Sequence, residues 1–114
     1  MLPDYSKTYS TLVVQPIDLI NAYKLDFCFA SVIKWLTKWQ MENKSEYITK
    51  ARYYVTLCES SEVPASFLFA LRMYCLVNGF IKSLSGNCLL ITIADLVANK
   101  RLDYARGELN KICL

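Results

Sequence analysis

Apolar residues recur at spacings of three and four along most of this chain, and that period predicts helices. The clearest case spans residues 25–58. Leu25, Cys28, Phe29, Val32, Ile33, Trp35, Leu36 and Trp39 make a wide apolar face over a helix of about 25–42, which Asp26 can cap. Ser31, Lys34 and Lys38 fall on the opposite face. Asn43-Lys44-Ser45 is a polar turn, with Ser45 placed to cap a second helix. Ile48, Ala51, Val55 and Cys58 form the inward stripe of that helix, and Lys50, Arg52 and Tyr53 look outward. So short a connection predicts antiparallel neighbours.

The same period places further helices on either side. Pro16 suits a first helical turn, so a short helix is expected over 16–23 with Ile17 and Ile20 inward. Thr11, Leu12, Val13 and Val14 read as a short strand or as part of an extended arm covering 1–13, which carries Tyr5 and Tyr9. After the polar break 59–62, a helix over 64–77 is apolar nearly all round, and Asn78-Gly79 closes it. Such a helix is central to the fold or buries one side in a subunit interface. Its only charge, Arg72, needs a carboxylate, a carbonyl or an anionic ligand; Asp95 and Glu108 are the expected partners. Residues 80–84 read as a loop or short helix. Asn87 can cap a helix over 88–99, where β-branched Ile91, Thr92 and Ile93 leave a strand as the alternative. A last helix over 103–112 has Leu102, Ala105, Leu109 and Ile112 inward. The prediction is an all-α fold: one domain over 1–114, a compact bundle of five or six short helices built on an antiparallel helix pair.

The halves also match each other. Cys28, Ile33 and Leu36 align with Cys88, Ile93 and Leu96 at an offset of sixty, and Ala51, Arg52 and Val55 align with Ala105, Arg106 and Leu109 at fifty-four. Duplication and the general likeness of amphipathic helices both account for this.

Four segments in order resemble a small phage-encoded family of unknown function: Gln15-Pro16-Ile17-Asp18-Leu19-Ile20, Leu25-Asp26-Phe27, Val32-Ile33-Lys34-Trp35-Leu36 and Lys50-Ala51-Arg52-Tyr53-Tyr54. That family typically reads "PID-I-A", then "AIKY", then "KAIWYL". The likeness covers about 14–59. It departs at Trp39-Gln40-Met41, where the family has a small-residue turn, and at Glu46, a loose match to its acidic helix start. A related domain forms part of a nucleotide kinase of short-tailed coliphages. The resemblance therefore implies a phage-encoded protein acting on nucleotides in the host cytoplasm.

Composition narrows the chemistry. The chain has no histidine, which removes His-based triads, general bases and metal ligands, and its three glycines include no phosphate-binding loop of the G-x-x-x-x-G-K-[ST] type. The five cysteines, 28, 58, 75, 88 and 113, include no C-x-x-C pair and sit among apolar residues, which fits buried thiols in a reducing cytoplasm. Glu59-x-x-Glu62 is the only E-x-x-E spacing, so a magnesium site like that of all-α NTP pyrophosphohydrolases, drawing on Asp95, Asp103 and Glu108, is weakly supported. No catalytic residue, metal or cofactor is expected. The net charge of +3 is mild and does not suggest nucleic-acid binding. Arg72, Asn78 and Gly79 interrupt the most membrane-like stretch, and no secretory signal is read. Apolar residues make up 54% of the chain, which favours a homo-oligomer.

The candidate site is a basic and aromatic surface: Lys34, Lys38, Lys50 and Arg52 interleaved with Trp35, Trp39 and Tyr53, and with Arg72 as a further cation. Cations hold phosphate and rings stack on bases. The expectation is a protein that binds or sequesters a nucleotide or nucleotide-derived signal. The alternatives are an interaction protein that inhibits a host (defence) protein and, from the resemblance, a nucleoside monophosphate kinase.

Overall fold

The computed structural model describes residues 11–112, all helix and connecting turns. The expected all-α bundle is found. Its α-helices are α1 (Pro16–Tyr23), α2 (Phe27–Glu42), α3 (Ser45–Thr56), α4 (Ala65–Val77), α5 (Leu89–Ala98) and α6 (Leu102–Ile112), with one 3-10 turn at Cys58–Ser60. Tyr5 and Tyr9 lie outside the described residues, as does Cys113.

Local chemistry sets the helix ends. Pro16 occupies the first turn of α1, and the Asp18 carboxylate accepts the Gln15 backbone N–H at 3.2 Å. Asp26 caps α2 as expected: its carboxylate accepts the Phe29 N–H at 2.9 Å and also the Ser61 hydroxyl at 3.0 Å. Asn43 stops α2 in the left-handed conformation, φ 56°, and its N–H returns to the Trp39 carbonyl. Ser45 does not cap α3; it is that helix's first residue, and Lys44 stands at the cap without a side-chain bond. Asn87 likewise lies one residue outside the cap of α5, which is Cys88.

Four helices form a ring of contacts. The α2–α3 hairpin makes the most extensive contact; α6 packs on α3, α5 on α2, and α5 on α6. Ile33, Leu36, Ile48, Ala51, Val55, Leu90, Ile93, Ala94, Val97, Ala105 and Leu109 fill this ring and are fully buried. Helices α1 and α4 pack on each other and onto α2 and α5 respectively. Phe67 of α4 is the joint, edge-on to Tyr23 of α1 at 5.5 Å and to Phe29 of α2 at 5.4 Å. Three of the six matched pairs, Ile33 and Ile93, Ala51 and Ala105, and Val55 and Leu109, are fully buried on both sides, whereas Leu36 is buried and Leu96 only partly so.

Two expectations are corrected, and one open alternative is decided. Pro16 and Leu19, not Ile17 and Ile20, are the buried residues of α1, which packs against both α2 and α4. Ser31 is buried rather than outward, and Thr37 with it, because α1, α3 and α5 all pack on α2. Thr11, Leu12, Val13 and Val14 form no strand. Instead the Asn78 side chain accepts the N–H groups of Val13 and Val14 at 2.8 and 3.1 Å and donates to the Val14 carbonyl at 3.0 Å. This ties the lead-in to the end of α4.

The Thr37 and Tyr74 hydroxyls share a buried hydrogen bond of 2.9 Å between α2 and α4. Tyr74→Phe is expected to cost about 1–2 kcal/mol in urea unfolding, since it deprives the Thr37 hydroxyl of a buried partner. Thr37→Val combined with Tyr74→Phe should recover part of that loss. Equal stability of the single variant and the parent would contradict this account.

Candidate functional site

The turn at Asn43 and Lys44 folds α3 back along α2, and that geometry builds the site. Lys34 and Lys38 lie one turn apart on α2 with Trp35 between them; Tyr47 and Lys50, three residues apart, share a face of α3. The two pairs meet over the Trp35 ring. Lys34, Lys38 and Lys50 hold their ammonium groups 4.8, 5.0 and 4.3 Å from its centroid. Tyr47 packs beside the same ring at 5.8 Å, and Lys38 lies 5.4 Å from the Tyr47 centroid.

The electrostatics are one-sided. Among the described residues no carboxylate forms an ion pair with Lys34, Lys38 or Lys50. Glu42, at the end of α2, is engaged elsewhere: it accepts the Tyr47 hydroxyl and lies 3.9 Å from the Lys44 ammonium. That bond, with desolvation and the charges of Glu42 and Glu46, pushes the Tyr47 phenol up to about 12, so it stays a neutral donor. Partial burial, then the charges of Lys38 and Lys50, hold the Lys34 ammonium below its ordinary value. Three converging cations over a half-buried ring can hold an anion with several oxygens.

The remaining predicted residues lie elsewhere. Arg52 is two positions from Lys50, about 200° round α3, and donates to the Asn110 side chain of α6 at 2.5 Å. It is part of the α3–α6 contact and not of the lysine cluster. Tyr53 is exposed and packs edge-on against Tyr54 at 5.2 Å. Trp39 is partly buried against the core. Arg72 pairs with neither Asp95 nor Glu108 but donates to the carbonyls of Leu84 and Gly86, at 3.1 and 2.7 Å. It staples the connection between α4 and α5. Asp95 and Glu108 line a cavity of about 390 Å³ beside it, with Asn87, Thr92 and Tyr104. Their own partners are local: Asn99 donates to Asp95, and Lys111 lies 3.0 Å from Glu108. No group of three or more acidic or cysteine side chains is placed to hold a metal ion among the described residues.

Tyr47 belongs to this cluster although its residue type alone does not select it. Its signal is the three-residue spacing to Lys50, which puts both on one helix face.

The α1–α4 side carries a different feature. Val14, Leu19, Tyr23, Phe69, Met73 and Val77 line a shallow apolar groove of about 390 Å³. Phe69 is 63% exposed there, and the neighbouring Val13 74%. No helix among the described residues is long and apolar enough to cross a membrane.

Fold and site together describe a small all-helical protein with a cationic, aromatic-floored cluster on one hairpin and an apolar groove on another side. No protein-family model, curated protein or solved structure matches the chain.

Proposed function

We propose that this protein binds a nucleotide or nucleotide-derived signal through its phosphate groups, at Lys34, Lys38 and Lys50, without transforming it. One observation carries the reading: three ammonium groups converge on Trp35 with no carboxylate paired to them among the described residues. Like charges gathered on one ring repel, and a multiply charged phosphate relieves that repulsion. The ammonium groups occupy the Trp35 face, so the phosphates, not the base, rest over it. The resemblance of 14–59 to a phage-encoded family of unknown function, a relative of which forms part of a nucleotide kinase, favours the same ligand class and a cytoplasmic setting in a host cell. Kinase chemistry lacks support, because the chain has no phosphate-binding glycine loop.

The apolar groove favours a second reading, in which the protein docks on a host protein or on its own copies. Phe69, Met73 and Val77 of α4 are exposed in a row, and apolar patches of that kind mark contact surfaces.

Native mass spectrometry with nucleoside mono-, di- and triphosphates, cyclic nucleotides and inorganic tripolyphosphate tests the proposal. A retained nucleotide, displaced by tripolyphosphate, is the expected result. Absence of any retained ligand would sink the nucleotide reading and shift the weight to the groove.

A further inference from the structure

Cys75 and Cys88 stand outside both features. Cys75 is fully buried in α4, and Cys88 is half-buried at the cap of α5. Thirteen positions apart in sequence, their sulfurs lie 3.9 Å from each other. The intervening chain is held from several points. Gly79 turns it at φ 80°, and the Phe80 and Ile81 N–H groups return to the Cys75 carbonyl at 2.8 and 3.4 Å. Arg72 then fixes the carbonyls of Leu84 and Gly86 just before Cys88. The two thiols are therefore kept together by the fold on both sides.

We propose that Cys75 and Cys88 form a redox-active dithiol, which hydrogen peroxide closes into a reversible intramolecular disulfide. The roles of the two sulfurs differ. Cys88 is the N-cap residue of α5, at the helix end where the Leu90 and Ile91 N–H groups have no partner within the helix. The Cys75 thiol, these two N–H groups and the Arg72 charge favour the Cys88 thiolate against the opposing effect of burial. The adjacent Cys88 sulfur and burial both disfavour the Cys75 thiolate. Cys88, the half-buried sulfur that solvent reaches, is the attacking one, and Cys75, fully buried behind it, the resolving one. The Cys88 thiolate attacks one peroxide oxygen; the O–O bond breaks, and the leaving hydroxide takes up a proton to become water. The Cys75 sulfur then attacks the Cys88 sulfenic acid, forming the S–S bond, and a second water leaves with the Cys75 proton. Two thiols are oxidised and one peroxide is reduced to two waters. The sulfurs need to approach by about 2 Å. Cys58 is the internal contrast: buried, its thiol pushed up to about 11, with no second sulfur at hydrogen-bonding distance among the described residues.

The test is peroxide titration of the full chain, followed by alkylation and peptide mapping by mass. The expected product is a Cys75–Cys88 disulfide, lighter by two hydrogens, formed before any change at Cys58 and reversed by dithiothreitol. In Cys88→Ser, oxidation of Cys75 at the same dose should fall at least about tenfold. In Cys75→Ser, Cys88 should stop at a sulfenic acid that dimedone traps. The parent-chain map is decisive even if a variant fails to fold. Over-oxidised Cys88 beside an intact Cys75 thiol, chain-to-chain links at Cys88, or preferential oxidation of Cys58 would each overturn the proposal.

Discussion

Phe67→Ala is expected to lower the free energy of unfolding by about 3–5 kcal/mol, the usual cost of truncating a fully buried phenylalanine. The magnitude follows from position. Phe67 belongs to α4, yet its ring packs edge-on against Tyr23 of α1 and Phe29 of α2. Removing it opens a cavity among three helices and weakens the attachment of α1 and α4 to the ring formed by the other four, leaving the α4–α5 contact and the Thr37–Tyr74 bond. Domains of this size have about 5–15 kcal/mol of stability in all, so the variant should lose a large part of its margin. Two controls separate packing from helix propensity. Phe67→Leu keeps most of the volume and should cost under about 1.5 kcal/mol. Phe69→Ala, two residues on, changes a ring that is 63% exposed and should stay within about 0.5 kcal/mol of the parent. Urea unfolding followed by circular dichroism measures all three. A Phe67→Ala cost similar to that of Phe69→Ala would mean that α4 is not anchored as described.

That contrast explains what the sequence makes legible. Strong amphipathic periods place α2, α3 and α6 well: Ile48, Ala51, Val55 and Cys58 fall on one stripe, and all four are fully buried. Periodicity assigns a face to each helix but not a neighbour to each face. In α4, with apolar residues on every side, Phe67 and Phe69 are indistinguishable until α1 and α2 are seen to cover one and not the other. Ser31 reads as solvent-facing because it is polar, yet α2 is covered from three directions. Arg72 carries a need for a partner without naming it, and backbone carbonyls that no side-chain pattern encodes supply it. Of the predicted binding surface, the part set by spacing along one hairpin comes together: Lys34, Trp35, Lys38 and Lys50. The residues added because they are basic or aromatic, Arg52, Tyr53 and Arg72, point to α6, to Tyr54 and to the α4–α5 connection. The repeat at offsets of sixty and fifty-four acquires a physical counterpart, since α2 packs on α5 and α3 on α6 with three matched pairs buried on both sides.

Replacing Lys34, Lys38 and Lys50 together with alanine is expected to weaken nucleotide binding by about a thousandfold or more while leaving the helix content intact. A hydrogen bond to a charged group contributes about 1.5–3 kcal/mol, and 1.4 kcal/mol is a factor of ten, so each lysine alone should account for about tenfold or more. The fold should tolerate the change because two small effects oppose each other. Each ammonium over this half-buried ring contributes about 1 kcal/mol, and removing three neighbouring like charges returns a comparable amount. Lys34 adds a pH signature. Its folded-state value lies below the 10.5 of an unfolded lysine, chiefly through burial and then through Lys38 and Lys50. In the window between the lowered value and 10.5 the unfolded chain binds more protons, so this group's contribution to stability rises with pH there. A bound phosphate reverses the preference and draws the proton back onto Lys34. Affinity should therefore fall as pH rises through that window, although phosphate groups are fully ionised above about pH 7 and lose no charge themselves. Lys34→Arg stays cationic throughout and should bind with a flatter pH profile than the parent. Calorimetric titration from neutral pH to about pH 10 measures this. An unchanged affinity in the triple variant would remove the cluster as the site, and an equally steep profile in Lys34→Arg would remove Lys34 as the titrating group.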